Sequence, residues 1–282
     1  MSFADFLRRW SPIPRRRPPV VAVVRLNGPI GMPGPSLRGT SLTLAALAGP
    51  LERAFGLKGL KAVALAVNSP GGSAVQSALI ARRIRALAEE KKVPVLAFVE
   101  DVAASGGYWL ATAGDEIFAD ESSILGSIGV ISAGFGFQAL LDRIGVERRV
   151  HTAGSRKAML DPFRPEDPED VARLEALQRE IHDNFKAQVR ARRGARLSGE
   201  EPELFTGEIW TGRGALARGL IDGIGELRAT LRARYGEKVR LVVVEERRGW
   251  LKRRLGLTEA AGWPEQAIGA LEARALWARY GL

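Results

Sequence analysis

Continuous apolar runs alternate with helically spaced ones along most of this chain. The run over 20–26, Val-Val-Ala-Val-Val-Arg-Leu, is the kind of strand that lies buried on both faces of a parallel sheet. Runs over 61–67 and 93–99 read the same way. Between them the spacing predicts helices over 42–55 and 73–91, the second carrying Val75, Leu79, Ile80 and Ile84 along one face. Short strands are expected at 116–119, 129–132 and 147–152, with a helix over 135–144. The clearest helix covers 165–195, where Val171, Leu174, Leu177, Ile181, Phe185 and Val189 keep a three-to-four spacing and Pro168 stands near the start. Its apolar stripe suits either ordinary core or a surface that faces a partner. A small helix over 211–222, broken by Gly219, another over 226–235 and a last strand over 239–244 complete the pattern. Strands and helices in this order predict an α/β fold with parallel strands and right-handed crossovers.

The ends of the chain read differently. Residues 1–19 mix Phe3, Phe6, Leu7 and Trp10 with Arg8, Arg9 and Arg15–Arg17, which fits either a disordered basic leader or a short amphipathic anchor on a membrane surface. No secretory signal or spanning segment is read from the sequence, so the expected location is cytoplasmic, or peripheral to the inner face of the membrane. From residue 245 the composition shifts to Arg, Ala and Glu with Trp250, Trp263 and Trp277. The expected organisation is a leader over 1–19, a catalytic domain over 20–244 and a helical tail over 245–282.

Composition narrows the chemistry. The 282 residues contain no cysteine, which excludes disulfides, thiolate metal sites and cysteine nucleophiles. The net charge of +10 comes from arginines scattered through the chain, and no nucleic-acid-binding module is visible, so no specific nucleic-acid partner is expected. No metal or nucleotide site is visible either, and no cofactor is expected.

What stands out is Ala104-Ser105-Gly106-Gly107-Tyr108, a serine at a strand-to-helix turn with glycine immediately after it. A serine nucleophile needs a base and hydrogen-bond donors for the developing oxyanion. The Gly106 N–H is one candidate donor. A second glycine turn, Asn68-Ser69-Pro70-Gly71-Gly72, ends the preceding strand, and Gly71 or Gly72 can supply the other. Either turn alone is read as a plain strand-to-helix connection. Ending consecutive strands of one sheet, the two point to the same crevice, where α/β folds bind ligands. The base is less plain. His151, ending a predicted strand, is the one histidine placed to serve a Ser-His triad, and His182 reads as a solvated helix residue. Lys157, in Gly154-Ser155-Arg156-Lys157-Ala158-Met159, reads on sequence alone as a surface lysine.

Taken in order, Asn68–Gly72, Ser105–Tyr108, Gly126-Ser127-Ile128-Gly129-Val130, the lysine before Pro162-Phe163, Phe205-Thr206-Gly207, Trp210-Thr211-Gly212 and Gly219-Leu220-Ile221-Asp222 resemble the signal peptide peptidase A (S49) family of serine proteases. The similarity runs over about residues 20–235. It implies a Clp/crotonase-like fold of stacked ββα units, with Ser105 as nucleophile, Lys157 as general base and Ser127 orienting the lysine amine. It also implies a serine endopeptidase acting on unfolded or membrane-derived peptides without ATP. A ring of identical subunits is expected, in which Lys157 can serve the Ser105 of a neighbour. Clp protease shares the Asn68–Gly72 turn but requires a histidine soon after the serine, and 113–150 contain none. An acyl-CoA enzyme of the crotonase type and a non-catalytic ring scaffold are the alternatives from other classes.

Overall fold

The computed structural model describes residues 18–31, 41–244 and 274–281. Among the described residues eight strands form one sheet, in which β1 (Val20–Asn27), β2 (Leu60–Ser69) and β3 (Val95–Ala104) pair in parallel at the centre. β8 (Arg240–Val243) adds to the outer edge of β1, also in parallel. Helices α1 (Leu44–Phe55), α2 (Ala74–Lys91) and α3 (Gly106–Ala111) follow β1, β2 and β3 in the expected alternation. Thr43 and Ser73 cap α1 and α2, each side-chain oxygen accepting an N–H of the first turn.

The sheet divides its side chains by the two-residue strand period. Val24, Leu65 and Ala97 face one side, where Leu51 of α1 and Ile80 and Ile84 of α2 complete the main core. Val23, Ala64, Leu96 and Phe98 face the other, covered by Leu231 of the helix Leu227–Tyr235. Burial of each large apolar side chain contributes roughly 1.5–3 kcal/mol, so the continuous Val/Leu/Ala runs act as the main stabilising element.

The third strand forks, and the fork positions the site. Its first half, Leu96–Val99, pairs with β4 (Glu116–Ala119), and its end, Val102–Ala104, pairs with β5 (Ile124–Gly126). β3 therefore runs five residues beyond the predicted 93–99, past exposed Glu100 and Asp101. The Asn68 side chain braces this extension: its amide donates to Asp101 Oδ2 at 2.7 Å and its oxygen accepts the Val102 N–H at 3.2 Å. β6 (Ile209–Thr211) closes the far side of β5 antiparallel, and β7 (Gly223–Ile224) pairs with β4.

Two expected strands are absent. Residues 129–132 and 147–152 form no strand; the chain there leaves the body as an arm that includes α4 (Gln138–Ile144) and returns at α5 (Pro168–Arg193). From residue 129 to 184 no residue is buried. Ile131, in the first of these segments, is exposed, and Val150, in the second, is only partly buried; neither is packed in a sheet. The stripe of α5 divides accordingly: Phe185 and Val189 are core, whereas Leu177 and Ile181 face outward.

At the C-terminal end of α5 the Arg193 side chain is 1% exposed and forks onto Asp222, at 2.7 and 3.2 Å, while its Nε donates to the Gly219 carbonyl. Asp222 also accepts the Ile117 N–H of β4, so the Gly219–Asp222 motif is a structural clasp. The leader falls almost wholly outside the described residues, as do 32–40 and most of the tail. Of the tail, 274–281 lies against the body, with Trp277 and Tyr280 packed on Val102, Ala104 and Ile124. No helix among the described residues is long and apolar enough to cross a membrane.

Candidate active site

Ser105 is the residue at which β3 becomes α3. Its backbone stands at φ 51°, ψ −122°, a conformation that crowds any Cβ, and its hydroxyl makes no capping bond. The turn that forces this geometry also turns the side chain out of the helix and leaves its oxygen available. Its N–H donates to the Gly126 carbonyl at 2.8 Å, fastening the turn to the end of β5.

The second glycine turn lies against the first. A Cβ added to Gly71, at φ 102°, would sit 2.9 Å from Ser105 Cβ and 3.0 Å from the Gly106 nitrogen. Glycine there keeps open the space in front of the Gly106 N–H. One added to Gly106 would fall 2.5 Å from Ser77 Oγ, and 3.4 Å from the Gly72 nitrogen. Three amides thus converge beside Ser105. Those of Gly72 and Gly106 have no partner among the described residues, and that of Gly71 donates to Ser69 Oγ at 3.3 Å, long for such a bond. Together they form an anion cradle at a helix N-terminus, where an oxyanion is favoured.

Ser127 follows β5 directly and is the neighbour of that fastening. It too holds φ 51°, is 9% exposed, and its N–H donates to the Glu208 carbonyl at 2.7 Å. The structure therefore brings Ser105, Gly71, Gly72, Gly106 and Ser127 to one end of the sheet. It does not bring Lys157 there. Lys157 is exposed on the arm, in a turn closed by its own N–H to the Gly154 carbonyl at 3.2 Å, and its side chain bonds to neither serine.

The histidines separate. His151 is exposed on the arm and ends no strand. The expectation that His182 is a solvated helix residue is corrected: it is half-buried, and its Nε2 lies 3.0 Å from the Ile128 carbonyl, next to Ser127. The signal was available in the spacing, since His182 stands three residues before buried Phe185 on one helix face. Tyr108, within the serine motif, is fully buried and donates to the Leu220 carbonyl at 2.7 Å. Burial pushes its phenol well above the usual tyrosine range, which makes it a structural donor and not an acid for the reaction. Among the described residues no group of His, Cys, Asp and Glu could hold a metal ion.

A strained serine beside amides that have no partner among the described residues is suited to attack on a carbonyl, and a forked α/β sheet with a parallel centre presents it. Residues 87–240, more than half of the chain, match the model of peptidase family S49, and the chain belongs to that family. It is 35% identical over 210 residues to the chloroplastic serine protease SPPA of Arabidopsis thaliana, covering 73% of this chain and 31% of that protein. It is also 54% identical over 284 residues to a Brucella abortus protein named Na(+)/H(+) antiporter NhaA, covering 96% of this chain and 38% of that one. The chain thus spans 31% and 38% of these two relatives' lengths, and the antiporter name is not carried over to it. A solved membrane-bound stomatin-specific protease aligns with 82% of this chain and 95% of its own at 18% identity, with a TM-score of 0.46.

Proposed function

We propose that the protein is a serine endopeptidase that cleaves unfolded or membrane-derived peptides through an acyl-enzyme, without ATP. The observation that carries this reading is the placement of Ser105 against the Gly71, Gly72 and Gly106 amides. Ser105 Oγ attacks the peptide carbonyl carbon while its proton passes to the neutral Lys157 amine. Gly106 with Gly71 or Gly72 holds the oxyanion, and Ser127 orients the lysine. Collapse breaks the C–N bond, and the Lys157 ammonium protonates the departing amine. Water then attacks the ester, gives a proton to Lys157, and the C–O bond to Ser105 breaks as that proton returns to Oγ.

Because Lys157 and Ser105 do not meet within one chain, the lysine serves the serine of a neighbouring subunit in a ring. The exposed apolar residues of the arm and of α5, Phe135, Leu140, Ile144 and Leu177 among them, support an assembly that covers them. The test is labelling with a serine-directed fluorophosphonate, read by intact mass. One adduct on the wild type and none on Ser105→Ala or Lys157→Ala is expected, and a folded, assembled wild type that stays unlabelled overturns the reading. Mixing the two inactive variants should restore labelling of the Lys157→Ala subunits; no restoration places both residues in one subunit.

A further inference from the structure

The arm leaves the body at Ile128 and returns through α5, and one bond joins its two roots: His182 Nε2 to the Ile128 carbonyl, 3.0 Å. A carbonyl only accepts, so the nitrogen facing it carries the proton. The bond grips the Ile128–Gly129 peptide, the last one before the chain passes into the segment without buried residues. It also lies one residue from Ser127, whose φ of 51° persists only while neighbouring bonds hold it. Those bonds are the Ser127 N–H to Glu208, the Gly129 N–H to the Ser127 carbonyl at 2.9 Å, and His182.

The same helix face reaches the nucleophile. Phe185, one turn after His182, stacks on Trp109 at 4.7 Å between ring centroids, and Trp109 N–H donates to the Ser105 carbonyl at 3.0 Å. Gln188 and Arg192 bond Thr112 at the end of α3. α5 therefore holds the Ser105 helix through Phe185 and the Ser127 turn through His182. We infer that His182 is a positioning residue for the reaction: by donating to the Ile128 carbonyl it fixes the Ser127 turn and the direction in which the arm delivers Lys157. This rests on the roles proposed above for Ser127 and Lys157.

The test compares His182→Leu, which lacks the donor, with His182→Gln, which keeps one at similar reach. With His182→Leu the fluorophosphonate labelling rate of Ser105 at saturating probe should fall about tenfold or more, as displaced catalytic groups do. His182→Gln should stay within about twofold of wild type, because the donor and not the ring is what the turn requires. Amide exchange over 125–131 reads the turn without any reaction and should quicken in His182→Leu alone. Unchanged labelling and exchange in His182→Leu, or equal loss in both variants, overturns the inference. Should His182→Leu not fold, His182→Gln decides: a near-wild-type rate supports the inference and a tenfold loss overturns it. A wild type that does not label, with exchange at 125–131 still dependent on His182, defeats the reaction reading and leaves the grip on the turn standing.

Discussion

The N–H of Ser105 donates to the carbonyl of Gly126 at 2.8 Å, so two serines held at the same positive φ, Ser105 and Ser127, are separated by one hydrogen bond and one peptide link. β3 and β5 end side by side, and each passes into its turn at once, so the bond sets the spacing of the two turns. Neither serine is in a conformation it would choose alone.

Strain of this kind is measurable. Ser105→Gly removes the Cβ that φ 51° crowds, and should stabilise the fold by about 1 kcal/mol. It should also abolish fluorophosphonate labelling. Chemical denaturation paired with labelling checks both; a destabilised Ser105→Gly would mean the turn is not under strain.

Gly106→Ala tests the cradle. The added methyl would stand 2.5 Å from Ser77 Oγ, which is bonded to the Ser73 carbonyl, so one of the two must shift; with the Gly106 amide displaced, labelling should fall by about a hundredfold, the scale of a lost oxyanion donor. Adding Ser77→Gly, which clears the oxygen, should recover part of the rate. Full activity in Gly106→Ala would remove this amide from the mechanism.

Much of this was legible from residue patterns. The Val/Ala/Leu runs of β1, β2 and β3 are buried on both faces and announce themselves, and the glycine turns fall where those runs end. The end of β3 was hidden because Glu100 and Asp101 interrupt its apolar run while its backbone continues to Ala104. The strands expected over 129–132 and 147–152 failed for the opposite reason. Apolar side chains there imply burial, but nothing among the described residues buries them. Lys157 escapes residue patterns for a related cause: it is exposed on the arm, and nothing in its own loop sets it apart from a surface lysine.

The Arg193–Asp222 clasp should dominate stability at its end of the sheet. Asp222→Ala leaves a guanidinium with 1% exposed side chain unpaired and should cost about 3–5 kcal/mol. Arg193→Met combined with Asp222→Leu should lose less than Asp222→Ala alone. Thermal unfolding of the three variants decides it.

Acid should loosen the arm before the body. The Arg148 guanidinium bonded to Asp161, helped by the Phe163 N–H, holds that carboxyl below its ordinary value near 3.8. A depressed folded-state pKa contributes stability that is complete above the ordinary value and is lost as pH falls through the lowered one. Amide protection around 160–164 should therefore drop below about pH 4, and Asp161→Asn should lack that step. Protection unchanged to pH 2 would show that the pair does not hold the arm.

The segment from 129 to 184, without a buried residue of its own, has a consequence for when the enzyme exists at all. On the reading above, a newly made chain carries its nucleophile and oxyanion cradle but no base within reach. Dilution then acts as its inhibitor: cleavage should rise more steeply than in proportion to protein concentration until the ring is filled. A cell holding few copies would be spared, and crowding copies together would be the activating event.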